Sequence, residues 1–283
     1  YVGYDGDGSL HVQNGGTVES DTSCIGCGQL LLPKGPQDFV GSVTIQGTNS
    51  LWTNAADLVI GRYGIGELTI LQGGTMSNGG NVVVGLLPGS QGKAVVTGAG
   101  SSWSVGGELD VGYGSQGSLL VEKGATVAAG TAVLGFQAGS QGVVTVTGAG
   151  SAWNLKGGQN DLWIGVEGVG GVSVADSATL SSGDVILGFS GSGLGLATLN
   201  GAGTVWNAGG YVAVGVEGYG GLAIQSGGVM TAESGQIAGK AGGTGSVSVS
   251  GDGSAWLLDY HVFISNTGYM NINDGGLVQS QSG

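Results

Sequence analysis

The chain has 283 residues, of which 66 are glycine and 3 proline, and its 6 Lys+Arg against 19 Asp+Glu leave a net charge of −13. Glycine at over three times its usual share of about 7 %, without the proline and strict triplet period of collagen, excludes that fold. A hydrophobic content of 40 %, rich in Val, Ile and Leu, excludes a disordered linker.

Other classes fall as quickly. No apolar run reaches the ~18 residues of a membrane helix. An acidic chain repels nucleic acid. One arginine (Arg62) and two histidines (His11, His261) leave little for acid–base catalysis.

From the N-terminus, Gly-x-apolar-x-apolar recurs at Gly8 (Leu10, Val12), Gly41 (Val43, Ile45), Gly66 (Leu68, Ile70) and Gly92 (Ala94, Val96). It continues at Gly117, Gly142, Gly170, Gly195, Gly220, Gly245 and Gly268. The intervals are 33, 25, 26, 25, 25, 28, 25, 25, 25 and 23 residues, a period that marks a solenoid. Each unit holds three short patches of period-two alternation, as in Leu68-Thr69-Ile70, Thr75-Met76 and Val82-Val83-Val84. Gly/Asn/Ser clusters between them mark turns, and no stretch sustains a 3.6-residue period.

Three strands per repeat and no helix predict an all-β parallel β-helix of about ten to eleven turns, one domain over 1–283. Equivalent strands would stack about 4.8 Å apart, giving a rod about 50 Å long. Parallel crossovers are overwhelmingly right-handed, so a right-handed coil is expected. Glycine suits its corners because it accepts positive φ without steric cost.

Departures from the period come early. Cys24-x-x-Cys27 ends one third strand. A redox site would want a helix start there, and zinc two further ligands, so a local disulfide in an oxidising compartment is expected. Residues 28–40 (GQLLLPKGPQDFV) hold two of the three prolines and lengthen the first interval to 33. Such an insertion is pushed out as a loop. It either carries binding, with Leu31 and Phe39 as its apolar contacts, or covers the rod's flank. A smaller insertion at 156–161 explains the interval of 28.

A second periodicity doubles the first. Trp52, Trp103, Trp153, Trp206 and Trp256 recur at 51, 50, 53 and 50 residues, mostly after Gly-x-Gly-Ser or a close variant. Intervening turns place Val18, Met76, Val127, Leu180 and Met230 there. Either large and small residues alternate to fill the core, or the tryptophans form an exposed ladder that grips a glycan.

Side-chain parity separates two faces. Counted back from the glycine that ends it, the third strand points outward Tyr1, Cys24, Val59, Val83, Asp110, Val133, Trp163, Ile186, Ala213, Ile237 and Phe263. The first strand points outward His11, Thr44, Thr69, Val95, Leu120, Thr145, Ser173, Thr198, Ala223, Ser248 and Asn271. The second list is largely polar, as a solvated face should be. The first is mostly apolar and is the candidate interaction surface, unless insertions cover it. The same count puts Gln236 inside, which a slip of one residue would also produce.

The doubled unit, as in Gly142-Val-Val-Thr-Val-Thr-Gly-Ala-Gly-Ser-Ala-Trp153 followed by Leu162-Trp-Ile-Gly165 and Gly171-Val-Ser-Val174, resembles the passenger regions of bacterial type V autotransporters. The likeness is to the adhesin-like, self-associating members and extends over essentially the whole chain. It implies export across two membranes to the cell surface and a C-terminal β-barrel translocator outside this sequence. It implies as partner a like rod, or a host or matrix glycan or protein, with glycans carried on surface Ser/Thr in some relatives. The chain opens and stops mid-turn without a visible signal peptide, so a piece of a longer protein is expected.

Other motifs are set aside. Gly112-Tyr-Gly-Ser-Gln-Gly117 matches the dinucleotide fingerprint, but no helix follows to hold a pyrophosphate. Asp5-Gly-Asp-Gly occurs once, as a turn rather than a calcium repeat. The acids are scattered singly, and no turn sets two on one outward strand face beside an Arg or Lys, so neither a catalytic group nor a metal or cofactor is expected. Surface adhesion without catalysis is the expected function. Rods stacking end to end through their exposed edges come second, and a polysaccharide-degrading β-helix last.

Overall fold

A computed structural model describes residues 1–28, 39–156, 161–265 and 267–281. Among them no helix occurs, and the strands belong to three parallel sheets of 11, 11 and 10 strands. Consecutive strands of the chain enter the first, second and third sheet in turn, and each pairs with its equivalents one turn away. This is a β-solenoid. Most of the two predicted insertions, residues 29–38 and 157–160, lies outside the described residues.

Period-two alternation buries one side of each strand. The first sheet sends in pairs such as Leu68/Ile70 and Val144/Val146, and the third sends in pairs such as Leu58/Ile60 and Leu162/Ile164. The second sheet sends in Val18, Trp52, Met76, Trp103, Val127, Trp153, Leu180, Trp206, Met230 and Trp256 as one register column. All five tryptophans are buried in the core, so the alternation is one of packing and not an exposed ladder.

The glycine that opens each repeat is there for space. Gly112 turns the chain out of the third sheet at φ +71°, and five residues later Gly117 starts the next first-sheet strand. A Cβ on Gly117 would lie 2.2 Å from the Gly112 nitrogen and 2.3 Å from the Val84 carbonyl oxygen one turn below. Backbone meets backbone at this corner, and no side chain fits.

The constant repeat length hides a compensation. From the third to the first sheet the crossing takes five residues in Gly61–Gly66, Gly112–Gly117, Gly165–Gly170 and Gly215–Gly220, but seven in Gly85–Gly92, Gly135–Gly142 and Gly188–Gly195. Tryptophan turns have the short crossing and regain one residue at the corner between first and second sheets, where Gly98-Ala-Gly-Ser101 stands against Lys123-Gly-Ala125, and one between second and third, where Gly106-Gly107 stands against Gly130.

The serine ending that longer corner ties two turns together. Buried Ser101 Oγ accepts from the Gly73 N–H (3.0 Å) and donates to the Thr97 carbonyl (2.8 Å). Ser254 repeats this with Gly227 and Ser250, and Thr204 with Ser177 and Asn200.

Candidate interaction surface

Register defines the outward column of the third sheet: Cys24, Val59, Val83, Asp110, Val133, Trp163, Ile186, Ala213, Gln236 and Phe263. The expected list differs at one rung. Ile237 points inward and is 0 % exposed, while Gln236 points out. Counting back from a glycine slips there because Ala238, at φ 60°, occupies the left-handed position that glycine holds in the other turns.

Exposure along the column is uneven. Val59, Val83, Trp163 and Ile186 are half-buried, Val133 is buried, and Phe263 near the C-terminal end is 56 % exposed. Phe39 is buried at 4 % and is not a surface contact. Leu31 lies outside the described residues.

Part of this cover comes from the crossings that follow the third strands. Phe189 meets the Trp163 ring edge-on at 4.9 Å between centroids, and Phe136 stacks on Tyr113 at 4.8 Å. Phe136 and Phe189 are themselves exposed. At Trp163 the apolar column on the outer face of the third sheet is thus widened by a second, aromatic side chain, and the Tyr113–Phe136 pair adds an aromatic contact between neighbouring crossings. Parity alone gives one column and misses its aromatic neighbour, since the crossing residues follow no alternation.

The opposite kind of face is the first sheet. Its outward column runs His11, Thr44, Thr69, Val95, Leu120, Thr145, Ser173, Thr198, Ala223, Ser248, Asn271, as the alternation predicts.

At the N-terminal foot of the strip, Cys24 and Cys27 are joined by a disulfide with their Cα atoms 5.8 Å apart. Among the described residues no group of three or more His, Cys, Asp or Glu is placed to hold a metal ion.

The edge between second and third sheets is acidic for a structural reason. Asp57 Oδ1 accepts the Asn81 N–H (2.8 Å), Asn81 Oδ1 the Glu108 N–H (2.9 Å), and Asp184 Oδ1 the Tyr211 N–H (2.8 Å). Each side chain caps a corner amide of the next turn that the sheets leave unpaired. These groups serve the backbone.

Sequence reasoning treats the acids as scattered singly, yet the strand Glu108–Val111 places Glu108 and Asp110 on one face, two residues apart. Asp110 is buried and hydrogen-bonded to Glu108. Burial first, and the neighbouring carboxylate second, push its carboxyl up to about 7. The two acids adjoin on one strand instead of facing each other across a cleft, so they do not form a hydrolytic pair.

No family model matches the chain. Over 89 residues, 30 % of its length, it is 35 % identical to the Adhesin BmaC autotransporter of Brucella suis biovar 1 (strain 1330), and it spans 2 % of that protein. Among solved structures, the TibC-catalyzed hyper-glycosylated TibA55-350 fragment covers 97 % of this chain and 88 % of its own at 19 % identity, with a TM-score of 0.28. A superposition that loose carries no functional weight. Over part of its length, the chain is similar to an autotransporter adhesin.

Proposed function

We propose that this chain is a stretch of an autotransporter passenger, a non-enzymatic adhesive rod displayed at the bacterial surface. It would bind a like rod on a neighbouring cell, or a glycan or protein of host or matrix, along the outer face of its third sheet. The observation that carries this is the apolar column of Val59, Val83, Trp163 and Ile186, widened at Trp163 by Phe189, on a rod of net charge −13. A continuous run of partly exposed apolar side chains is the kind of surface that marks contact sites on soluble proteins. The partial similarity to BmaC supports the class of protein, and the Cys24–Cys27 disulfide suits an oxidising, extracytoplasmic setting.

The test is aggregation of beads coated with the protein. Coated beads are expected to clump unaided, and a Trp163→Ser/Ile186→Ser variant with unchanged circular dichroism to clump far less. Unchanged clumping would remove the strip from the mechanism. Long axial fibres under the electron microscope would favour end-to-end stacking instead.

A further inference from the structure

One carboxyl interrupts the apolar strip. Parallel register seats Asp110 between Val83 and Val133, and it is only 6 % exposed. On its own strand it is hydrogen-bonded to Glu108, which also accepts from Thr131 Oγ1 at 3.2 Å. The groups facing the pair from the neighbouring turns are neutral: Val83 and Val133 flank Asp110, and Asn81 and Thr131 flank Glu108. The crossing that follows carries Tyr113 stacked on Phe136. The two ion pairs among the described residues, Lys123–Glu122 and Lys240–Glu217, lie elsewhere.

An ionised Asp110 would therefore have given up water and gained no cation, beside a second carboxylate. Holding one proton between the two acids avoids that cost. Resting on the adhesive role set out above, we propose that the Glu108–Asp110 pair makes the strip an acid-favoured contact. With the shared proton in place, the column Val83–Asp110–Val133 is neutral and closed. With both carboxylates ionised, it opens to admit water and the apolar surface is broken at its middle.

The neutral midpoint sets the working range. Asp110 is held at about 7, and comparison with Asp110→Asn isolates its protonation from that of every other group. If each of two pairing rods must carry one proton, association weakens by about a hundredfold between pH 6 and pH 8.

Sedimentation velocity on the wild-type protein and Asp110→Asn, across concentrations at pH 8, 7 and 6, tests this. Wild-type association should strengthen through neutrality, and Asp110→Asn should associate at pH 8 as the wild type does at pH 6, with no step. A wild type indifferent to pH over this range, or a variant that keeps the step, overturns the proposal.

A second readout uses dilute monomer. The melting temperature of Asp110→Asn should pull away above that of the wild type as pH rises from 5 to 8. Parallel curves overturn the gate whether or not the rods associate. If neither protein associates at any pH while the melting curves diverge, pairing of like rods fails and only the titration of the buried carboxyl stands; if both associate with no pH step, the gate fails and the adhesive role stands.

Discussion

A hydroxyl placed under Trp256 should stabilise the rod. Each tryptophan Nε1–H points toward one position of the second-sheet strand a turn below. Ser20 Oγ accepts from Trp52 at 2.8 Å, Asn78 Oδ1 from Trp103 at 3.0 Å and Ser182 Oγ from Trp206 at 3.0 Å. Under Trp153 and Trp256 that position is Ala129 and Ala232, and neither indole N–H has a hydrogen-bond partner among the described residues. A buried donor left unmet costs about 1–3 kcal/mol, part of which a new hydroxyl uses in its own desolvation. Ala232→Ser should therefore gain about 1 kcal/mol, or about 2 °C in melting temperature for a chain of this size. Ala129→Ser lies four turns away, about 19 Å at the stacking distance, so the pair should add to about 4 °C. Ser182→Ala, which strands Trp206 in the same way, should lose a similar amount. Differential scanning calorimetry on the wild type and these four variants decides it. A neutral Ala232→Ser beside a costly Ser182→Ala would refute the idea that the second indole lacks a partner.

Three further perturbations follow from the same geometry. Gly117→Ala should cost about 3 kcal/mol or more, because its Cβ would sit 2.2 Å from the Gly112 nitrogen and only backbone can yield; denaturant titration would register the loss. Ser177 holds φ 64° where Gly73, Gly124 and Gly227 occupy the equivalent corner, so Ser177→Gly should gain about 0.5 kcal/mol despite losing its hydroxyl's bond to the Ala202 carbonyl; unchanged or lower stability would contradict this. Wild-type stability should also fall as pH rises. Asp110 holds its proton more tightly folded (about 7) than at its ordinary value of 3.8, so the stabilisation is fully present below about 4 and is lost as pH climbs through 7. The loss is about 4 kcal/mol at most, and a flat difference between wild type and Asp110→Asn in chemical denaturation from pH 5 to pH 8 would count against it.

The repeat was legible because every turn solves one packing problem with the same means. Period-two alternation in Leu68-Thr-Ile70 or Val144-Thr-Val146 dictates which side chains go in, and parallel register propagates that choice from turn to turn. The tryptophan column follows from the same logic. Where reasoning from local pattern stumbled, the cause was an interaction between distant parts of the chain. Ala238 in a left-handed conformation displaced the glycine landmark and shifted Ile237 by one place. Phe189 sits in a crossing with no alternation, so its approach to Trp163 depends on neighbouring turns. Glu108 and Asp110 look like two isolated acids in sequence, and only burial on a shared strand face makes them one titrating unit. The serine of Gly-x-Gly-Ser read as punctuation, whereas its hydroxyl is a cross-link to the turn below.

The trade between short and long corners has a consequence for how such a molecule can change length. A residue deleted from one corner must be restored at another corner of the same turn, or every strand beyond it loses alignment with the layer beneath. Removing a single turn would set two tryptophan layers, or two aliphatic ones, in direct contact. The unit that can be inserted or excised without disturbing its neighbours is thus a pair of turns, so the rod grows in steps of one bulky and one slender layer.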